Sequence, residues 1–190
     1  MDTSYHALLP VTWLCWAMYW GFAAIGTKAA TRREPPLSRL VYAVPIALGA
    51  LALFDPPTFA GVMQGRFVPA TEAWFWVGWA ITLCGLALAI VARRWLGRNG
   101  SGTVPLKKDH ELICSGPYAY VRRPICTGLL LALIGTAIAI GEWRALVGVA
   151  LVAAALVRKM TVEERFMRDA FGETYARYRA RVRALVPFVV

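Results

Sequence analysis

Two polar passages stand out from a chain that is otherwise built of apolar runs. The first extends from Leu106 to Gly128 and the second from Arg158 to Phe188. They contain imidazole, carboxylate, hydroxyl, phenol and guanidinium groups, which are the side chains that bind charged ligands and exchange protons. In the first passage these groups belong to His110, Glu111, Ser115, Tyr118, Tyr120, Arg122 and Arg123. We therefore predict that the functional site is built from these two passages.

The rest of the sequence predicts a membrane frame around them. Of the 190 residues, 58% are hydrophobic and eight are tryptophan, which is too apolar for a soluble domain of this length. The net charge of +10 comes from Lys and Arg residues beside apolar runs, as the positive-inside rule and anionic headgroups select. A nucleic-acid-binding protein would instead collect its basic residues on one polar surface. We expect an all-α polytopic integral membrane protein that contacts membrane lipids and binds no nucleic acid.

Five apolar runs predict about five transmembrane helices in one membrane domain, residues 1–190. The double proline Pro35-Pro36 is expected to set the start of the second helix. The residues GEWR at 141–144 fit the tight turn of a C-terminal helical hairpin. The two helices of this hairpin are short for a bilayer, so a re-entrant pair is the alternative to two full crossings. The runs are Leu8–Ile25, Leu40–Phe54, Trp74–Ala92, Ile125–Ile140 and Ala145–Val157.

The distribution of Lys and Arg predicts the orientation in the membrane. Loops 28–39 and 93–123 and the C-terminal tail are basic, whereas the N-terminus and residues 55–71 carry few charges. With five crossings, an external N-terminus places both polar passages on the cytoplasmic side. The first run lacks the basic flank and cleavage site of a signal peptide, so we expect a retained span. The four cysteines form no Cys-x-x-Cys pair, and we expect neither a disulfide framework nor a metal site.

The order of the polar residues resembles the isoprenylcysteine carboxyl methyltransferase family. The first passage reads His110-Glu111-Leu112-Ile113, then Ser115-Gly116-Pro117-Tyr118, then Arg122-Arg123-Pro124, and the second reads Glu163-Glu164, then Phe171-Gly172-Glu173 with Tyr175 and Tyr178. This order is similar to the family's H-x-L-V, S-G-x-Y and R-H-P blocks, followed by E-E and F-G-x-x-Y-x-x-Y. The resemblance covers residues 106–190, and we assign residues 96–190 to the catalytic region and residues 1–95 to N-terminal spans, of which the first two show no motif.

The resemblance implies methyl transfer from S-adenosylmethionine to a lipophilic acceptor that enters from the membrane, such as the carboxylate of a prenylated cysteine. It implies catalytic roles for Arg123 and Glu163, with a guanidinium on the donor's carboxylate and Glu163 on its amino group. It also implies that Lys159, with Arg158 as a neighbour, contacts an anionic group of the substrate. The cofactor-binding residues that it implies are His110, Glu111, Leu112, Ile113, Tyr118, Arg122, Arg123, Pro124, Ile125, Cys126, Glu163 and Glu164. We interpret Tyr175 and Tyr178 as packing or interface residues.

Two positions depart from the family pattern. The family's R-H-P reads Arg122-Arg123-Pro124, and the aromatic residue two positions after that proline is Cys126. Because arginine stays protonated at neutral pH, a mechanism that needs the histidine as a base is excluded. A guanidinium that holds a carboxylate remains compatible with the change.

Two other functions remain open at this point. Membrane sterol and steroid reductases have a similar C-terminal pattern and use NADPH, whose 2′-phosphate needs a basic subsite that Lys107-Lys108 could supply. A non-catalytic membrane subunit with a decayed pocket would account for Arg123 and Cys126. A transport pathway is disfavoured because the apolar runs contain almost no charged residue.

Overall fold

The chain folds into helices, as seen in a computed structural model that describes residues 7–25, 36–54, 63, 65–96 and 113–185. Within these residues there are five α-helices and one 3-10 helix, and no strand beyond two isolated bridges. The predicted all-α class is confirmed. The helices are α1 (Leu8–Ala24), α2 (Pro36–Phe54), α3 (Glu72–Leu96), the 3-10 helix Gly116–Ala119, α4 (Pro124–Ile140) and α5 (Trp143–Arg181).

The helix boundaries follow local signals in the sequence. Helix α2 begins at Pro36, since proline fits the first helical turn, where its missing N–H is not needed. Gly141 ends α4 in the left-handed conformation, with φ 73°, and α5 begins two residues later. This confirms the predicted hairpin turn. The fifth apolar run and the C-terminal tail that follows it form one continuous helix, because no helix-breaking residue separates them before Gly172.

Two helices are long and apolar enough to cross a membrane, namely Glu72–Leu96 and the part of α5 from Trp143 to Asp169. The apolar helices Leu8–Ala24, Leu40–Phe54 and Pro124–Ile140 are shorter. Apolar side chains stay exposed along these helices, as in Phe22 (68%) and Val44 (51%). Exposed apolar surface of this extent fits contact with lipid. The count of five full crossings stays a prediction.

Helices α3 and α4 are antiparallel and are packed backbone to backbone through glycines. A Cβ atom added at Gly135 would lie 2.5 Å from the backbone nitrogen of Thr82, and one added at Gly128 would lie 2.5 Å from the carbonyl oxygen of Gly85. Small residues permit this approach, which is a usual way of packing helices where lipid removes the hydrophobic drive. The contact sets α4 against the end of α3 that carries Arg93.

A hydrogen-bonded network crosses this apolar interior. The hydroxyl groups of Thr82 and Thr136 lie 3.2 Å apart, and Thr82 also reaches the carbonyl oxygens of Gly78 and Ala132. The indole of Trp13 donates to the Thr136 hydroxyl over 3.0 Å. Every buried hydroxyl group of the network therefore has a partner, as a dry interior requires. The network ties α1 to the α3–α4 pair.

A second closely packed pair of helices is formed by α2 and α5. The carbonyl oxygen of Gly148 would lie 2.7 Å from a Cβ atom at Gly49, so these two helices also approach at a glycine. Arg144, which is 4% exposed, donates to the carbonyl oxygens of Ala52 and Leu53 at the C-terminus of α2. A cation there satisfies unpaired carbonyls and opposes the negative end of the helix dipole. The frame holds α5 so that its polar half extends past the N-terminus of α4.

Candidate cofactor and substrate site

The two polar passages meet where the N-terminus of α4 faces the middle of α5. Arg122 pairs with Glu164 over 2.7 Å, and Arg123 pairs with Glu163. The side chains of all four residues are at most 19% exposed. The sequence prediction that these passages form one site is consistent with this geometry. We call the four residues the ion-pair core.

The approach to α4 is shaped by a glycine and the 3-10 helix. Gly116 has φ 59°, and a Cβ atom there would lie 2.6 Å from Cδ2 of Trp95. The Trp95 indole donates to the Ser115 hydroxyl over 3.2 Å, which fixes the entry to the 3-10 helix. That helix buries Tyr118. Pro124, which is fully buried, then starts α4 directly after the two arginines.

The end of the chain that the structure describes lies against the arginines from the other side. The backbone N–H groups of Arg122 and Arg123 donate to the carbonyl oxygens of Arg183 and Ala184 over 2.8 and 3.0 Å. The Thr127 hydroxyl donates to the carbonyl oxygen of Leu185 over 2.7 Å. The first turn of α4 therefore receives its partners from the segment that follows α5.

Cations outnumber carboxylates at the site. Lys159 lies 3.6 Å from Glu163, one turn away on α5, and Arg179 lies 3.9 Å from Glu164. Two glutamates thus face three arginines and a lysine. Since each carboxylate contacts two cations, the group as a whole keeps a positive charge. Such a group attracts an anionic ligand.

Two tyrosines of the site, Tyr118 and Tyr178, stay protonated at neutral pH. Burial raises the pKa of Tyr118 to about 12, although Arg123 acts in the opposite direction. Burial likewise raises the pKa of Tyr178, whose hydroxyl donates to the carbonyl oxygen of Tyr118 over 2.6 Å. Burial alone would lower the pKa of Arg123, but Glu163 and the neighbouring groups outweigh it and raise this pKa. Neither the phenols nor the guanidinium can take a proton from a substrate near pH 7.

The high pKa of Tyr118 gives a testable pH dependence. Its folded pKa of about 12 lies above the ordinary tyrosine pKa of 10.0, so the unfolded chain loses this proton first as pH rises. Tyr118 therefore contributes stability below about pH 10 that is lost between about pH 10 and 12. In a tyrosinate absorbance titration, Tyr118→Phe should remove a group that titrates near pH 12 and flatten the alkaline loss of stability. Removal of a group that titrates near pH 10 would contradict this assignment.

The remaining residues that the sequence singled out are distributed unevenly. Ile113, Ile125 and Cys126 are half-buried, and Cys126 packs against the apolar cluster that includes Leu133. Arg158 is exposed. His110, Glu111 and Leu112 lie outside the described residues, as do Lys107-Lys108. Of the predicted residues, Arg122, Arg123, Glu163 and Glu164 form the ion-pair core, and Lys159 lies beside it.

Sequence reasoning missed Arg179 and the burial of Arg93, and it interpreted Tyr175 as a packing or interface residue. Tyr175 is indeed buried, at 2% exposure, but its hydroxyl also accepts a hydrogen bond from Arg122 over 3.3 Å. Arg179 was not singled out among the many arginines of the tail, although it lies four residues after Tyr175. Arg93, which was interpreted as the end of an apolar run, is 9% exposed and donates to the carbonyl oxygen of Ala23 over 3.0 Å. No single-residue signal distinguishes these from surface cations.

The chain is similar to a known protein family and to individual known proteins. The phospholipid methyltransferase family model matches residues 73–174, more than half of the chain. A protein-S-isoprenylcysteine O-methyltransferase of Schizosaccharomyces pombe is 32% identical over 83 residues, which are 43% of this chain and 35% of that protein. The cobalt-zinc-cadmium resistance protein CzcN of Cupriavidus metallidurans is 35% identical over 107 residues, covering 55% of this chain and 47% of that protein. The matched parts thus span about a third to a half of these two relatives.

A solved structure supports the fold. The eukaryotic intramembrane Ras methyltransferase ICMT superposes with a TM-score of 0.50 and 23% identity, over 84% of this chain and 55% of that one. An intramembrane fold agrees with the exposed apolar helices described above. The family match extends from α3 to the start of the segment after Gly172 and so contains the whole ion-pair core. The chain is therefore a membrane protein that belongs to the phospholipid methyltransferase family and resembles its isoprenylcysteine methyltransferases.

Proposed function

We propose that this protein transfers a methyl group from S-adenosylmethionine to an anionic group on a lipophilic acceptor. The observation that carries the proposal is the ion-pair core with two further cations beside it, Lys159 and Arg179, placed where polar segments meet exposed apolar helices. The family match supports methyl transfer as the reaction class. The similarity to the protein-S-isoprenylcysteine O-methyltransferase of Schizosaccharomyces pombe supports the carboxylate of a prenylated cysteine as the acceptor.

The residues present fit the methyl donor. Nε of Arg122 is buried and has no hydrogen-bond partner among the described residues, although a buried guanidinium nitrogen ordinarily has one. A carboxylate would supply that acceptor, and guanidinium groups bind carboxylates in bidentate pairs. We assign the donor's carboxylate to Arg122 and Arg123 and its amino group to Glu163. The donor supplies an electrophilic methyl group on a sulfonium, so the protein needs no base when the acceptor is already an anion.

The protein's own contribution is to bind, orient and exclude water. Of the cations of the site, Lys159 is the second most exposed after Arg179, with 39% of its side chain exposed. We assign it to the acceptor's anionic group, with Arg158 beside it. Cys126 lies between the ion-pair core and the apolar cluster of α4 and α5, where an acceptor's head and tail would join. Attack of an anion on a sulfonium removes two opposite charges, and a site with little water favours that loss of charge.

We place the site on the cytoplasmic side. Because α3 and α4 are antiparallel, the end of α3 with Arg93 and Arg94 lies beside the start of α4, and the basic half of α5 extends to the same face. Basic segments are retained on the cytoplasmic side of a membrane. Cytoplasmic S-adenosylmethionine would then reach the core without crossing the bilayer.

Calorimetry on detergent-purified protein tests the proposed donor. S-adenosylhomocysteine should bind saturably with one site per chain, and NADPH should not compete. Saturable binding of NADPH without binding of S-adenosylhomocysteine would replace the proposal by a reductase. Folded protein that binds neither compound would contradict catalysis by this core.

A further inference from the structure

The backbone at Gly172 divides the polar half of α5 into two pieces. Gly172 has φ 49° and ψ −123° inside α5, a conformation that is accessible to glycine and strained for other residues. A Cβ atom built there meets no atom within 4 Å. The glycine is thus required by the backbone and not by packing. We call residues 173–185, which follow it, the C-terminal arm.

The arm makes its described contacts with the site. Tyr175 accepts a hydrogen bond from Arg122, Tyr178 donates to the carbonyl oxygen of Tyr118, and Arg179 pairs with Glu164. The end of the arm accepts hydrogen bonds from the backbone of Arg122 and Arg123 and from the Thr127 side chain. One element therefore contacts the 3-10 helix, both arginines, the first turn of α4 and one glutamate.

The direction of the arm depends on Gly172. With helical dihedral angles at this position, α5 would continue straight and carry Tyr175 and Arg179 along its axis. The turn at Gly172 redirects the arm, so that Tyr175 is buried at 2% exposure. The arm has no apolar cluster of its own among the described residues and is held by these polar contacts, of which the Arg179–Glu164 pair is partly exposed, with 47% of the Arg179 side chain exposed. A segment held by such contacts opens more easily than the helices it covers.

We propose that the C-terminal arm is a positioning element, hinged at Gly172, that must dock for the site to hold its methyl donor. This inference rests on the proposed function. Tyr175 acts through Arg122, Arg179 acts through Glu164, and the end of the arm fixes the backbone of both arginines. Opening at the hinge exposes the ion-pair core to the cytoplasm, and docking aligns the guanidinium groups on the donor's carboxylate.

Limited trypsin digestion reports docking directly. The arm contains arginines at 177, 179, 181 and 183, and cleavage there requires the arm to open. We expect S-adenosylhomocysteine at ten times its Kd to slow cleavage of the arm about tenfold, because a ligand that binds only the docked state lowers the open fraction by 1 + [L]/Kd. Mass spectrometry of the released C-terminal fragments measures the rate. Equal rates with and without bound ligand would overturn the coupling to the donor.

Variants separate positioning from general stability. Gly172→Ala should speed cleavage of the ligand-free arm several-fold and raise the donor KM more than tenfold, while the apolar helices keep their circular dichroism. Gly21→Ala is the matched control, since a Cβ atom at Gly21 of α1 also meets no atom within 4 Å but its backbone is helical.

Arg179→Gln should likewise speed cleavage of the arm and raise the donor KM, and Arg179→Lys should restore the donor KM. Arg177→Gln, at an exposed arginine, removes one charge and one trypsin site as Arg179→Gln does. It should change neither the rate at which the arm opens to cleavage nor the donor KM.

The results distinguish this inference from the proposed function. If wild-type protein neither binds S-adenosylhomocysteine nor transfers methyl groups, the proposed function and the coupling both fail, and the ligand-free cleavage rates still decide whether Gly172 and Arg179 dock the arm. If wild-type protein is active and Gly172→Ala matches it in cleavage rate and donor KM, the positioning role is wrong and the function stands.

Discussion

Replacing Glu163 by glutamine should abolish methyl transfer and weaken donor binding while the protein remains folded. Glu163 contacts both Arg123 and Lys159, and we assign to it the donor's amino group. Loss of one member of a buried charge pair typically costs about 2–5 kcal/mol in binding, which corresponds to an affinity for S-adenosylhomocysteine at least about 30-fold lower. The amide keeps the size of the side chain, and the helices that form the core do not depend on it.

The matched control is Glu173→Gln. Glu173 is also on α5 and loses the same charge, but it is exposed and lies on the solvent side of the arm. Calorimetry with S-adenosylhomocysteine, together with circular dichroism of both variants, measures the difference. Equal affinities of Glu163→Gln and wild type would contradict the role assigned to Glu163. Tighter binding would show that Glu163 competes with the donor's carboxylate for Arg123.

Replacing Gly135 by alanine should destabilise the whole protein. The added Cβ atom would lie 2.5 Å from the backbone nitrogen of Thr82 and 2.6 Å from the carbonyl oxygen of Gly78. Backbone atoms cannot move aside as a side chain does, so α3 and α4 must separate and the Thr82–Thr136 hydrogen bond must lengthen. Overpacking of this kind costs about 1–3 kcal/mol, and in a helix pair packed through small residues the effect extends along the interface.

Thermal unfolding in detergent measures this cost. Gly135→Ala should lower the Tm by several degrees and reduce the fraction of monodisperse protein. The control Gly21→Ala should be neutral or slightly stabilising, because its Cβ atom enters open space and alanine favours a helix. Equal Tm values for both variants would show that α3 and α4 do not approach as closely as the glycines indicate.

The sequence predicted the helices because apolar runs and their breaks are local signals. The hairpin at Gly141 and the helix start at Pro36 follow from residues that act on their own backbone. The ordered blocks of the family resemblance predicted that Arg122, Arg123, Glu163 and Lys159 belong to one site. Periodicity also gave the face of α5 on which Lys159 precedes Glu163 by one turn.

The geometry of the site depends on tertiary contacts that no local pattern encodes. Which arginine pairs with which glutamate depends on how α5 lies across α4, and that depends on packing contacts between helices far from the site. The return of the arm to the backbone of Arg122 and Arg123 was not predicted. Arg179 could not be separated from the other arginines of the tail because its role comes from the turn at Gly172. The donor-binding roles of His110, Glu111 and Leu112 stay predictions.

Transfer of a labelled methyl group directly tests whether the protein methylates the carboxylate of a prenylated cysteine. Purified protein in lipid nanodiscs is incubated with S-adenosylmethionine that carries a tritiated methyl group and with a farnesylated cysteine, and the organic phase is counted before and after mild alkali. We expect label in the farnesylated cysteine that alkali releases as methanol, since a carboxyl methyl ester is base-labile, and no label with Glu163→Gln. Donor that binds wild-type protein without any transfer to this acceptor would contradict the carboxylate assignment. Absence of both binding and transfer in folded protein would contradict the methyltransferase itself.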